Sequence, residues 1–259
     1  MKHRLLLLIL LLLLPLPLGA QAGDQIQIVQ VDSSRFPLMR LNIRAEDGQR
    51  LPFSMGDLND LVLRENGEIV ADYELTAVPV GIDLVIVLDA NQTITPLADG
   101  STPRLNLMLA VVERYANQFM SLSEMDRVTI IAPNDQYTNG RFLLQDATTP
   151  EAVRTAVAAY TPPLDPQTTP LQEMLEMGLD HLNAAAANGR FQALLLLSDA
   201  GQIQQQVDFD SLTETAQSQD VPLYTAILGA TADSQEISSA TLLAQPTRAS
   251  YVHVPQAGA

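Results

Sequence analysis

Two aspartates, an asparagine and two threonines in this sequence have the chemistry to hold a metal ion together. Asp89, Asn91 and Thr93 occupy alternate positions directly after the apolar run Leu84 to Leu88. Asp199 follows a second apolar run, ALLLLS, and Thr169 stands in the polar loop DPQTTPLQEML that enters the preceding helical pattern. Two carboxylates, an amide oxygen and two hydroxyls are hard oxygen donors, suited to Mg²⁺ or Ca²⁺ rather than to zinc or copper. They are distant in sequence, so only a fold that gathers the ends of two strands can bring them to one point.

The pattern after residue 80 supplies such a fold. Apolar strands are predicted at Leu84 to Leu88, Val128 to Ala132, Ala193 to Ser198, Leu223 to Leu228 and Tyr251 to Val254, with a shorter run, RFLLQ, around Leu143. Amphipathic helices lie between them. One carries Leu105, Met108, Leu109, Val112, Ala116 and Phe119 on one side, and another Leu171, Met174, Leu175, Gly178, Leu179 and Leu182, both at the spacing of a helix face. Strands alternating with helices imply crossover connections and a doubly wound, mostly parallel sheet covered on both faces, an α/β domain over residues 80–259. In such sheets ligands sit beyond the carboxyl ends of the strands, where the strand order reverses. If the strands ending at Asp89 and Asp199 are neighbours at that reversal, Asp89, Asn91, Thr93, Thr169 and Asp199 converge.

Upstream, the character differs. Ile26-Gln27-Ile28 and Met39 to Ile43 alternate apolar with polar residues, as a half-buried strand requires. Asp47-Gly48 and Asn66-Gly67 are hairpin dipeptides. Residues 23–79 therefore read as a small antiparallel β module, sandwich-like in pattern. The first 22 residues read as a secretory signal: Lys2 and Arg4 in front, Leu5 to Leu18 as the apolar stretch, and Ala20-Gln21-Ala22 as the cleavage site. No later apolar run approaches membrane length, so the expected product is a secreted or extracytoplasmic protein without a membrane span after cleavage.

Composition narrows the classes further. Beyond residue 22 there are 12 arginines, no lysine and 30 acids, a balance of 12 − 30 = −18. So acidic a chain is no partner for nucleic acid or anionic lipid, both of which need clustered positive charge. Cysteine is absent, which removes disulfides, thiol nucleophiles and cysteine metal sites.

At this point the residues resemble a known family, the von Willebrand factor type A (VWA) domains. Their metal-ion-dependent adhesion site (MIDAS) reads Asp-x-Ser-x-Ser after the first strand, then a loop threonine, then an aspartate after the fourth strand. DANQT, Thr169 in TTPLQEML and Asp199 in LLLLSDAG look like these three parts. MDRVTIIAP and LLQDATTPEAVRTAVAAY are similar to supporting stretches, and FPLMRLNIRAEDGQRL with LVLRENGEIV resembles the small β module before such domains in some bacterial exported proteins. The resemblance covers Gly81 to Val254. It implies a protein-binding or adhesion domain, not an enzyme, whose Mg²⁺ or Ca²⁺ accepts an acidic side chain of another extracellular or envelope protein. Two departures stand out: Asn91 and Thr93 replace the two serines, and five residues follow Val254 where the family has a helix, so regulation by sliding that helix is not expected.

Each feature also has a plainer reading. Thr169, Pro170 and Gln172 fit a helix cap, first-turn proline and capping box. Asp89 and Asp199 could be solvated strand ends of a metal-free interaction scaffold. Asn91-Gln92-Thr93 matches a glycosylation sequon. Strand, aspartate and threonine also resemble the Asp-x-Asp-x-Thr signature of haloacid dehalogenase-like phosphatases, but Asn91 cannot serve as the general acid and no lysine follows residue 22 to hold phosphate. No Gly-x-Ser-x-Gly elbow marks a hydrolase triad. The expected exported form starts at Gly23. Intact-mass analysis checks this, and a chain retaining residues 1–22 in the membrane fraction would count against it.

Overall fold

The computed structural model describes residues 25–47, 53–54, 56–58, 60–77, 80–91, 103–120, 125–136, 138–162, 169–185, 190–200, 203–229 and 231–255. The proposed leader, Gly48 of the first hairpin dipeptide, Thr93 and the first part of the loop before Thr169 lie outside these residues. Contacts divide the chain into two compact units, residues 1–59 and 60–259.

In the first unit β1 (Gln25–Arg35) pairs antiparallel with β2 (Leu38–Glu46). Ile28 faces Ile43 across the ribbon, yet Ile26 and Ile28 remain 51% and 56% exposed, because a two-stranded ribbon offers no second layer of its own to cover an alternating face. The second unit begins with β3 (Arg64–Glu65) and β4 (Glu68–Ile69), a short antiparallel ribbon. Its turn is Asn66-Gly67, with φ of 51° and 90°, the positive values for which that dipeptide is suited. Among the described residues these two ribbons stand where the alternation suggested sandwich-like sheets.

The body of the second unit runs β5 (Ile82–Leu88), α1 (Arg104–Gln118), β6 (Arg127–Pro133), β7 (Gly140–Ala147), α2 (Pro150–Ala159), α3 (Leu171–Ala185), β8 (Phe191–Ser198), α4 (Ile203–Gln206), α5 (Phe209–Ser218), β9 (Leu223–Leu228), α6 (Ser234–Ala244) and β10 (Tyr251–Val254). The six strands lie in the order β10-β9-β8-β5-β6-β7. All neighbours are parallel except β7, which runs antiparallel to β6. From β5 the chain goes outward to β6 and β7, then returns to β8 on the other flank. The reversal therefore falls between β5 and β8, as the sequence pattern required.

Burial on both faces explains the uninterrupted apolar runs. Leu84, Ile86 and Leu88 of β5 pack into one cluster with Leu107, Met108 and Val112 of α1 and Val153 and Val157 of α2. Val85 and Val87 point the other way, into a cluster with Leu171, Met174, Leu175, Leu179 and Leu182 of α3, Leu212 of α5 and Leu243 of α6. Each such side chain contributes roughly 1.5 to 3 kcal/mol by leaving water. The whole predicted face of α3 is buried. That of α1 is corrected at its end: the helix stops at Gln118 and Phe119, its C-cap residue, is 66% exposed, while Leu107 is fully buried.

The entry of β5 is tightly constrained. Gly81 carries a carbonyl that accepts from Phe191 N at 3.1 Å, and a Cβ built on it would lie 1.8 Å from the Met125 carbonyl oxygen. Because that obstacle is backbone, the strand would have to shift. Gly81→Ala should cost about 2 to 4 kcal/mol and lower the melting temperature by roughly 5 to 15 °C. Circular dichroism melts check this, and an unchanged midpoint would mean that the segment before β5 packs more loosely.

Candidate metal centre

Asp89 is the first residue beyond β5. Its N–H donates to the Leu197 carbonyl at 2.9 Å, which carries the parallel ladder one step past the strand. Two further short bonds turn the chain at once: Ala90 N to Leu88 O at 2.9 Å and Asn91 N to Asp89 O at 3.1 Å. The turn folds Asn91 back toward the carboxylate it follows. Both residues are buried, at 2% and 3% exposure.

Three segments meet on the Asp89 carboxylate. Thr169 Oγ1 donates to Oδ1 at 2.6 Å, and Asn91 Nδ2 donates to the same oxygen at 3.2 Å. Ser198 Oγ donates to Oδ2 at 2.5 Å while accepting from Ala200 N at 2.9 Å. That second bond fixes the serine's rotamer, and the loop after β8 is shaped for it: Ala200 takes a φ of 62°, unusual for a residue with a Cβ. Asp199 is buried beside them at 6% exposure. Arg104, the first residue of α1, places Nη1 4.0 Å from Asp199 Oδ2.

Burial dominates the electrostatics of Asp89. Loss of solvent pushes its carboxyl up from 3.8 to about 6; the bonds from Ser198 and Thr169 oppose this, the Asp199 charge adds to it, and Asn91 opposes it weakly. The carboxylate is thus held by neutral donors next to a second carboxylate, a place where a cation would be favoured.

Four of the five predicted residues, Asp89, Asn91, Thr169 and Asp199, are brought to the ends of β5 and β8; Thr93 lies outside the described residues. The capping-box reading of Thr169 is corrected. Its hydroxyl is directed to Asp89, and Gln172 instead donates to Glu176 Oε1 at 2.6 Å and accepts from Asp208 N at 2.9 Å. The sequon reading is weakened, because the Asn91 side chain is buried. Sequence reasoning missed Ser198 and Arg104 as members of the site. Ser198 was visible as the one polar residue closing ALLLLS, and Arg104 as the only basic residue between Arg64 and Arg114.

Among the described residues no three His, Cys, Asp or Glu side chains gather as ligands. What does gather is two carboxylates with neutral oxygens, the composition of a weak hard-cation site. One element must adjust: Asn91 turns its amide nitrogen toward Asp89, and a half-turn of the amide would present its oxygen. With that turn the residues fit a divalent ion.

No protein-family model matches the sequence, and no curated protein does. Among solved structures the chain is similar to proximal thread matrix protein 1 from the mussel byssus, at 15% identity and a TM-score of 0.46, covering 67% of this chain and 41% of that one. A second structure of the same mussel protein, with a zinc-occupied MIDAS motif, matches at 15% identity and a TM-score of 0.48 over the same shares. An uncharacterized membrane spanning protein from Vibrio fischeri matches at 18% identity and a TM-score of 0.34, covering 68% of this chain and 92% of that one. The chain thus spans less than half the length of the mussel protein.

The raised pKa of Asp89 has a definite sign in stability. Between 3.8 and about 6 the folded state binds more protons at Asp89 than the unfolded state, so this group favours folding most at low pH and the benefit is lost as pH rises through about 6. In chelator, the wild type should lose roughly 2 kcal/mol relative to Asp89→Asn between pH 4 and pH 7. Denaturant melts of both proteins across that range check it; parallel profiles would show that Asp89 is solvated.

Proposed function

We propose that this chain is an exported protein-interaction domain of the VWA type whose strand-end site takes Mg²⁺ or Ca²⁺ and recognises an acidic side chain on another extracellular or envelope protein. The observation that carries the reading is the meeting of Thr169, Ser198 and Asn91 on the buried carboxylate of Asp89, with Asp199 beside it. Nothing in the packing of an α/β sheet requires two carboxylates to be buried together at one strand end.

The residues that would hold the ion are Asp89, Asn91, Thr93, Thr169 and Asp199. A bound divalent cation would supply an electrophilic open position for a carboxylate. The chain's own residues prepare that position in distinct ways. Ser198, fixed by Ala200 N, occupies Asp89 Oδ2 and so orients the carboxylate. Thr169 delivers a hydroxyl from the start of α3, and that helix is locked to the sheet by the buried face from Leu171 to Leu182. Neutral oxygens from Thr169 and Asn91 add ligation without adding negative charge, which preserves attraction for an incoming acid.

Weak binding is expected, because only two ligands are charged. With a dissociation constant on the order of 0.1 mM, about 10 mM cation stabilises the fold by roughly 2.7 kcal/mol, a melting shift of roughly 5 to 10 °C. A partner captured from the extracellular fraction in Mg²⁺ should be lost in chelator and lost again with Asp89→Ala, provided circular dichroism shows that variant folded. Capture that survives both treatments would replace this reading with a metal-free scaffold.

A further inference from the structure

Arg104 is placed where an added cation would have to compete with it. Its side chain is 25% exposed and lies across the ends of two strands. On one side Nη1 stands 4.0 Å from Asp199 Oδ2. On the other, the guanidinium lies along Gly229 at the end of β9: a Cβ built there would be 3.0 Å from Nε and 3.5 Å from Nη2. Gly229 adopts a φ of 144° and its N–H donates to Val254 O at 3.1 Å, so the backbone that leaves room for the arginine is itself pinned by β10. The donors to Asp89 are two hydroxyls and an amide, all neutral. Arg104 brings a full positive charge to Asp199, the carboxylate beside Asp89.

We propose that Arg104 is a built-in counter-cation that competes with the divalent ion for Asp199, holding the site together when the ion is absent and setting the concentration at which the ion enters. This rests on the cation-binding reading of the same residues. Coulomb repulsion decides the direction. A guanidinium within a few ångströms of a carboxylate cancels part of its attraction for a second cation, and partial burial of both groups limits screening by solvent. Entry of the ion therefore requires the guanidinium to move away from Asp199 or to tolerate the ion beside it. Either route weakens binding.

Titration with Mg²⁺ or Ca²⁺ alone, followed by calorimetry on the intact exported chain, tests this with two variants. Arg104→Gln keeps length and polarity but removes charge, and should bind about tenfold more tightly or better. Arg104→Lys keeps the charge and should stay close to the wild type. Equal binding by wild type and Arg104→Gln would overturn the competition while leaving the cation reading intact, and so would a lysine variant as tight as the glutamine one. Absence of binding in all three at about 10 mM would overturn both. Should Arg104→Gln not fold, the wild type itself answers through the Nε–H signal of Arg104 in nitrogen-15 NMR, assigned by its loss in Arg104→Lys. The competition requires that signal to shift as cation is added, and a signal unmoved at saturating cation overturns it.

Discussion

Burying the carboxylate of Asp89 at the end of the central strand is the constraint to which the rest of the site answers. An ionised acid removed from water is costly unless hydrogen bonds replace its hydration. Here the replacements come from Ser198 and Thr169, 109 and 80 residues further along the chain. Each must arrive within hydrogen-bond distance from a different element. The position of a single side chain thus ties together the end of β5, the end of β8 and the start of α3.

The sheet meets that demand through register. Leu88 is paired with Leu197, and Asp89 N extends the ladder to Leu197 O, so the residue after β5 and the last residue of β8 are necessarily side by side. Parallel neighbours at a reversal of strand order leave their following loops diverging, which opens room for Thr169 to enter from α3. The helix can be this close because Gly178 lacks a side chain: a Cβ there would meet Leu194 Cδ1 at 2.8 Å and Val85 Cγ1 at 3.1 Å. Packing of α3 on the sheet and delivery of its threonine are one arrangement.

Much of this was legible in sequence for a physical reason. Strands buried on both faces must be apolar throughout, so β9 was placed at its observed limits, Leu223–Leu228, and β5 and β8 within two residues; the edge strand β10 was also placed at its observed limits, Tyr251–Val254, although Tyr251 and Val252 are exposed. The face of α3 followed from helical spacing alone. Less legible were features that depend on local chain path. Phe119 continued the periodicity of α1 but fell beyond the helix end, and Thr169 carried a capping signature whose hydroxyl a distant carboxylate outcompeted. Ser198 and Arg104 were missed because single polar residues at an element's edge have many uses. Only the meeting of β5, β8 and α1 at Asp199 and Asp89 gives them one. The upstream alternation, read as a small sandwich-like antiparallel β module, is met among the described residues by two-stranded antiparallel ribbons, which satisfy the same period.

Asn91 differs from the hydroxyls around Asp89 in how it could serve a cation of the kind proposed. A hydroxyl can serve a buried carboxylate as donor and a cation as acceptor by swinging one hydrogen, with hardly any movement of heavy atoms. An amide has donor and acceptor on separate atoms, so the same change of role requires a half-turn within a pocket where Asn91 is 3% exposed. In the structure its nitrogen faces Asp89, the orientation suited to a carboxylate that accepts from neutral donors, with the positive charge of Arg104 4.0 Å from its neighbour Asp199. Turning the oxygen inward would forfeit that hydrogen bond and is worthwhile only where another cation replaces it. Arg104 and Asn91 therefore act in the same direction: both stabilise the carboxylates as they stand, Arg104 by its charge beside Asp199 and Asn91 by the amide hydrogen it donates to Asp89. A cation of the proposed kind would have to offset both effects, whereas the Thr169 hydroxyl could turn from donor to acceptor without moving its oxygen.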